Sequence, residues 1–206
     1  MSYKQNDFLI GISELVSILL PGALASYILL PTLEQAARSH GLPQLPEAGN
    51  WVAFILLSYF LGHLIFLVGA WLDKPYDLLR QRFRPREKDK AYAAATAVAK
   101  AMLEDAFEAT NTYKFATALL SLRHEAAAAE VRQFEADSKF FRSLTVLMGL
   151  LLVLYWGDLN TKEVAIVGLL LVACFWRYLE RRWKSTRRAF EYVVTVAALP
   201  TDKDAA

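Results

Sequence analysis

The stretch "FLIGISELVSILLPGALASYILLP", residues 8–31, is long and apolar enough to cross a lipid bilayer. A helix needs about 20 mainly apolar residues to cover roughly 30 Å of hydrocarbon. Yet the stretch contains a glutamate, Glu14, and a proline, Pro21. Both are unfavourable inside a span, because a carboxylate loses its water there and proline lacks an amide donor. We therefore expect each of them to have a structural or functional role inside a helical bundle.

Three further apolar blocks follow, and the four blocks together predict two membrane-crossing hairpins. The later blocks are residues 51–72, 143–157 and 164–176. The last two are short, but Lys162 and Arg177 can extend them by reaching towards the membrane surfaces. The chain is 55% hydrophobic and its mean hydropathy is +0.26, which is somewhat more apolar than usual for a soluble domain. The predicted fold class is all-α: a four-span transmembrane helical bundle with a cytoplasmic helical hairpin between spans 2 and 3.

Positive charge predicts the orientation of this bundle. Of 23 lysines and arginines, 21 fall on one side of a four-span arrangement, and only Arg38 and Lys162 fall on the other. Cytoplasmic loops carry the excess of lysine and arginine in membrane proteins. The expected location is therefore the bacterial inner (plasma) membrane, multi-pass, with the N- and C-termini cytoplasmic. Tryptophans mark the predicted interfaces, with Trp51 and Trp156 outside and Trp71 and Trp176 inside.

The spans divide the chain into four predicted domains. Residues 1–72 form the first transmembrane hairpin, 73–141 the cytoplasmic helical hairpin, 142–179 the second transmembrane hairpin and 180–206 a basic cytoplasmic tail. In the cytoplasmic hairpin, apolar residues recur every three or four positions, as one face of a helix requires. Asn111 or Thr112 is the expected N-cap of its second helix. No proline or glycine follows before the third span, so we expect one long helix from Tyr113 through Tyr155.

Nothing in the sequence indicates catalysis, a metal or a cofactor. The three histidines lie in the outer loop, a span and the cytoplasmic hairpin, and none has a second ligand at metal-binding spacing. There is no nucleophile elbow, phosphate-binding glycine loop or dinucleotide motif. The single cysteine, Cys174, excludes an intramolecular disulfide. We therefore expect a protein that is not an enzyme and binds no cofactor.

The polar and small residues of the spans are the candidate site. Depth along the helices predicts that Glu14 faces His63 as an intramembrane polar pair, with Arg142 as an alternative partner for Glu14. Pro21 and Gly22 predict a helix kink. Small residues at four-residue spacing predict close helix packing: Gly22 with Ser26, and Ser58 with Gly62. The pair could be a structural contact, could line an ion or proton path, or Glu14 could reach the inner headgroups.

The tail forms a basic patch with interleaved aromatic residues. Its cations are Arg181, Arg182, Lys184, Arg187 and Arg188. We expect them to lie along the anionic inner leaflet, where each cation contributes about 1 kcal/mol. The alternative is binding of a nucleotide or nucleic acid through its phosphates.

The layout resembles small four-span bacterial membrane proteins of anti-phage defence cassettes. The resemblance covers the whole chain as architecture, and it is seen in "SELVSILLPG" opening the first span, "SKFFRSL" entering the third and "YLERRWKSTRRAF" leaving the fourth. It implies a pore-forming or membrane-disrupting effector, triggered by a partner or a nucleotide signal.

Three functions follow as hypotheses. The first is an integral membrane protein without catalytic chemistry that assembles through its cytoplasmic helices as a homo-oligomer and acts as a pore-forming or membrane-disrupting defence effector. The second is a proton- or ion-coupled transporter or channel subunit that uses Glu14 and His63. The third is a membrane scaffold that recruits a soluble protein partner to the cytoplasmic hairpin. All three have the lipid bilayer as a partner, and no motif supports the nucleotide signal.

Overall fold

The computed structural model describes residues 5–41, 46–85, 89–104 and 111–198, with side chains from residue 15 onward. Within these ranges the chain forms helices and no strand, so the all-α class is confirmed. The helices are α1 (Gln5–Ser39), α2 (Glu47–Gly69), α3 (Asp73–Phe83), α4 (Lys90–Leu103), α5 (Thr112–Arg123), α6 (Glu125–Leu154) and α7 (Thr161–Ala198). A short 3₁₀ turn, Ala70–Leu72, joins α2 to α3.

The chain divides into two compact units. We call Gly11–Asp73 with Ala136–Tyr178 the apolar unit, and Lys74–Glu135 with Leu179–Ala206 and the start of the chain the amphipathic unit. Four helices contribute to both units, because the boundaries fall inside α1, α3, α6 and α7.

Two helical stretches that could span a membrane begin in the apolar unit, and the second ends in the amphipathic unit. They are Leu15–Ser39, and Glu47–Phe83 including the 3₁₀ turn, and both are long and apolar enough for a crossing. The first continues through Pro21 and Pro31 without a helix break. The second ends at Phe83, two residues before Pro85, because proline disfavours helical geometry in the residue that precedes it.

The amphipathic unit has a core of alanine, valine, leucine and phenylalanine side chains. Its buried members come from α4, α5, α6 and α7: Ala95, Ala99, Phe115, Ala116, Leu119, Leu120, Ala128, Val131, Ala189, Phe190, Val193 and Val196. Asp89 caps α4 by accepting hydrogen bonds from two backbone amides, and Asn111 caps α5 through the amide of Tyr113. Of the two predicted caps of α5, Asn111 is therefore the one used.

The prediction of a single helix from Tyr113 through Tyr155 is wrong, because the helix is interrupted at His124. This residue has φ −143° and ψ 80°, so α5 ends at Arg123 and α6 begins at Glu125. Phe115 and Leu120 of α5 pack in the same core as Val131 of α6. Tertiary packing sets this boundary, since no local breaker residue is present.

The second half of α7 belongs to the amphipathic core, which the sequence reasoning did not anticipate. The basic segment from residue 180 is helical up to Ala198. Ala189, Phe190, Val193 and Val196 are buried on one stripe of this segment. The predicted hairpin therefore has its alanine-rich faces covered by residues of the same chain.

Candidate functional site

Small residues bring α1 and α2 into backbone contact within the apolar unit. A Cβ atom built on Gly22 would lie 1.8 Å from the carbonyl oxygen of Ser58 and 2.7 Å from the amide nitrogen of Gly62. A Cβ atom on Gly62 would lie 2.3 Å from the carbonyl oxygen of Ile18. Neither position has room for a methyl group, so both glycines are required by the close approach of the two helices.

Two serines connect the same pair of helices. The Oγ atoms of Ser26 and Ser58 lie 3.2 Å apart in a hydrogen bond, and Ser58 also donates to the carbonyl oxygen of Phe54 at 2.7 Å. Both serines are buried. A buried hydroxyl needs a partner in apolar surroundings, and here each serine supplies one for the other. The structure thus brings together Gly22, Ser26, Ser58 and Gly62.

His63 lies on the exposed side of α2, away from this contact. Its ring packs edge-on against the ring of Tyr59, with the centroids 4.5 Å apart. The side chain of Glu14 lies outside the described residues, so the predicted Glu14–His63 pair stays a prediction. Pro21 is buried and helical on both sides, and the kink predicted for it and Gly22 likewise stays a prediction.

A buried ion pair at one end of the apolar unit was missed by the sequence reasoning. Nη1 of Arg142 donates to both carboxylate oxygens of Asp73 at 3.2 Å, and the hydroxyl of Tyr178 donates to Asp73 Oδ1 at 2.8 Å. Tyr178 is fully buried, and only 6% of the Arg142 side chain is exposed. The three residues tie the start of α3 to α6 and α7. Opposite charges at matching ends of predicted spans are the signal that could have revealed the pair.

The path of the Arg142 side chain depends on two residues of α2. The guanidinium carbon lies 4.7 Å from the centroid of the Phe66 ring, a distance typical of a cation–π contact. A Cβ atom on Gly69 would lie 3.2 Å from Arg142 Nε, so glycine leaves the guanidinium room to pass. This arrangement fixes three helices at one level, and it can serve as a structural anchor.

The apolar unit also contains a groove of about 170 Å³ between α1, α2 and α6. Only alanine, isoleucine, leucine and valine line it, among them Ala25, Leu61, Ile65 and Leu147. Such a surface can accept hydrocarbon, but it offers no polar group to orient a substrate.

The cations of the predicted basic patch contact acids and aromatic rings within the amphipathic unit. Arg181 lies over Phe134 and Arg182 over Tyr76, at 5.5 Å and 5.0 Å from the ring centroids. The remaining three form ion pairs: Lys184 with Glu180, Arg187 with Glu191, and Arg188 with Glu191 and Glu130. Their binding to lipid or to phosphate stays a prediction.

Tyr113 joins a buried polar group in the amphipathic unit. Its hydroxyl lies 3.2 Å from Ser185 Oγ and 3.5 Å from Glu135 Oε2. Burial raises the pKa of Tyr113 above its ordinary value of 10.0, and the charge of Glu135 adds to the rise while the hydrogen bond with Ser185 opposes it. A hydrogen bond to Glu130 likewise raises the pKa of Tyr192.

We expect Tyr113→Phe to make the amphipathic unit less sensitive to alkali. Because the folded pKa of Tyr113 is raised, the unfolded chain loses the phenolic proton first. The stability from this group is complete below about pH 10 and is lost as pH rises through the folded pKa, with a slope of up to about 1.4 kcal/mol per pH unit. Circular dichroism in mild denaturant should show a flatter alkaline limb for Tyr113→Phe than for the parent protein. Equal slopes would contradict the assignment.

No metal centre is present among the described residues, since none of their histidine, cysteine, aspartate and glutamate side chains cluster in threes. What the fold and the site define is an all-helical protein with two helices that could span a membrane. Comparison of the chain with protein-family models, curated proteins and solved structures gives no match.

Proposed function

We propose that the apolar unit is a four-span membrane bundle. The proposal rests on the distribution of the large exposed apolar side chains. Among the residues whose side chains the structure describes, nearly all of these are in the apolar unit, and those outside it are Leu78, Phe83, Met102 and Leu122. A soluble protein rarely exposes continuous apolar surface of this extent, whereas a bilayer requires it.

The shorter third and fourth apolar segments also have exposed large apolar side chains. Val153 and Leu154 of α6, and Ile166, Leu169 and Val172 of α7, are all exposed. Residues 143–157 and 164–176 contain no charged side chain. The tryptophans expected at the membrane surfaces are exposed as well: Trp51, Trp71, Trp156 and Trp176. These features support spans for α6 and α7 as well as for α1 and α2.

The orientation rests on charge, with both termini and the amphipathic unit in the cytoplasm. We expect single cysteines introduced in a Cys174→Ser background to report it. Glu47→Cys and Asp158→Cys should react with an impermeant maleimide added to intact cells, because both loops face outward. Glu104→Cys and Arg187→Cys should react only after the membrane is opened. Labelling of either inner position from outside would contradict the four-span arrangement.

We further propose that the protein works without catalysis, by assembling and opening the membrane. The backbone contact of Gly22 with Ser58 and Gly62 supports this, because it leaves no space for water between α1 and α2 at that level. A conducting path would then form between copies. This is the activity that the resemblance to anti-phage effectors implies, and such an effector would be held inactive until triggered.

Contacts outside the membrane would use the apolar side chains that the amphipathic core leaves uncovered. Leu122 is 86% exposed at the end of α5. It can contact another copy or a soluble partner, so Leu122→Glu is the variant that tests a cytoplasmic contact. Phe115 and Leu119 are core residues, and charging them would unfold the unit instead.

Induced expression should collapse the membrane potential, reported by a potential-sensitive dye within minutes of protein accumulation. Leu122→Glu should reduce depolarisation at equal protein level if the cytoplasmic contact is used, whereas the exposed-surface control Lys114→Gln should not. A potential that stays intact at high expression, with and without phage infection as the trigger, would rule the activity out. If the protein instead drove uptake of a substrate with a pH gradient, and Glu14→Gln abolished that uptake, the alternative function of a proton-coupled transporter would be established.

A further inference from the structure

His63 places a polar ring on the outer surface of a span near the middle of the membrane. Trp51 and Trp71 are about 20 residues apart on one helical run, which corresponds to roughly 30 Å, the thickness of the hydrocarbon core. His63 lies about 12 Å from the level of Trp71 and about 18 Å from that of Trp51. It is nevertheless exposed. Ionisable residues at such depth face a bundle interior or another protein surface, because lipid offers no hydrogen-bond partner.

The residues around His63 form a continuous stripe along α2. Val52, Leu56, Tyr59 and Ala70 share this side of the helix with it at intervals of three, four and seven residues, and all are exposed. The side chains that line the apolar groove, such as Leu61 and Val68, lie on the opposite flank of α2. The stripe is therefore a surface separate from the groove. Its two ends are apolar, and the polar pair of Tyr59 and His63 lies between them.

We infer that this stripe, Val52 to Ala70, is the intramembrane interface between two copies of the chain. The occupant is a second copy because the surface complements itself. Tyr59 supplies a hydroxyl donor and His63 a ring nitrogen acceptor one turn away. Copies related by an axis along the membrane normal place equal depths side by side, so the same patch serves both. The phenol of one copy then reaches across the one-turn difference in depth, about 6 Å, to donate to the imidazole of the other, and each polar group leaves the lipid.

This inference rests on the proposed membrane arrangement and names the surface through which copies would meet. A span-to-span hydrogen bond of this kind shifts association about threefold to tenfold. The effect is large enough to measure in native membranes, without extracting the protein.

The test uses disulfide cross-linking of the full chain in a Cys174→Ser background. Val52→Cys lies on the stripe, and its neighbour Ala53→Cys, exposed at the same depth, lies about 100° away around the helix. On oxidation, Val52→Cys should form cross-linked dimer at least about fivefold faster than Ala53→Cys. Adding His63→Leu or Tyr59→Phe to Val52→Cys should lower the dimer fraction about threefold to tenfold. Leu64→Met, about 100° around the helix from His63, should leave it unchanged.

Three results would overturn the interface. Equal cross-linking at both cysteines would mean random collision, and no effect of either polar substitution would mean that the pair is not used. A loss of cross-linked dimer caused by Glu14→Gln but not by Tyr59→Phe would assign His63 to a contact within one chain.

Counting copies by single-molecule photobleaching separates failure of this interface from failure of the proposed function. Multimers that still depolarise cells but do not cross-link at Val52→Cys refute only this interface, whereas single copies refute self-assembly itself. Monodisperse elution of each variant in detergent checks that it is folded.

Discussion

Gly22→Ala should destabilise the apolar unit by about 3 kcal/mol or more. A methyl group at this position would lie 1.8 Å from the carbonyl oxygen of Ser58, well inside van der Waals contact. The obstacle is backbone, so no side-chain rotation can relieve it. The helices α1 and α2 must move apart, which also stretches the hydrogen bond between Ser26 and Ser58.

The matched control is Gly168→Ala on α7. A Cβ atom on Gly168 meets nothing within 4 Å. Glycine is a poorer helix former than alanine by up to about 1 kcal/mol, so this variant should be as stable as the parent or slightly more so. Gly22→Ala receives the same helix-propensity gain, and any loss of stability therefore reports the close approach alone.

Unfolding of both variants by denaturing detergent, followed by circular dichroism, measures the difference. Gly149→Ala provides a second control, because its Cβ atom would lie 3.7 Å from a flexible side-chain atom of Leu171, an ordinary van der Waals distance. Gly168→Ala and Gly149→Ala should be similarly stable, and Gly22→Ala far less stable than either. If Gly22→Ala unfolds together with Gly168→Ala, then α1 and α2 do not touch as described.

Asp73→Ala should cost the apolar unit about 2–4 kcal/mol. The substitution leaves the guanidinium of Arg142, of which only 6% of the side chain is exposed, without the Asp73 carboxylate. Removal of one member of a buried ion pair is strongly destabilising because the other charge stays buried. The expected loss of stability is below the upper end of the range for buried ion pairs. The reason is that the Asp73 side chain is one-third exposed, so water can partly replace its carboxylate as a partner of Arg142.

A double variant separates the charge from the packing. Asp73→Ala combined with Arg142→Met removes both charges, and methionine still packs over Phe66. We expect the double variant to be more stable than Asp73→Ala alone, because a buried ion pair can be replaced by apolar groups at little cost. Tyr178→Phe should cost about 1.5–3 kcal/mol through the single hydrogen bond to Asp73.

The exposed pair of Arg38 and Glu34 is the comparison for this ion pair, because both side chains are more than half exposed. Arg38→Ala should change stability by less than about 0.5 kcal/mol, as is usual for a solvated pair one helical turn apart. The measurement is the same detergent unfolding series. A double variant no more stable than Asp73→Ala would mean that packing, and not the unpaired cation, causes the loss.

Part of this structure could be predicted because it depends on neighbours along the chain. Apolar blocks identify helices by length and hydropathy, and proline and N-cap residues locate ends such as Phe83 before Pro85 and Asn111 before α5. The small residues at four-residue spacing could be selected on the same grounds. Their depths roughly correspond on neighbouring spans, which matches the two pairs, but the atomic contact of Gly22 with Ser58 is visible only in the fold.

By itself, the sequence determined an all-helical chain with apolar stretches long enough for membrane spans, because the periodicity and length of these blocks are local properties. Only the tertiary structure decided that the helix breaks at His124, that the end of α7 covers the alanine-rich core, and that Asp73 binds both Arg142 and Tyr178. The two contacts of Asp73 join residues 69 and 105 positions apart. Which helix faces meet over such separations depends on the packing of the whole unit, and no local pattern specifies it.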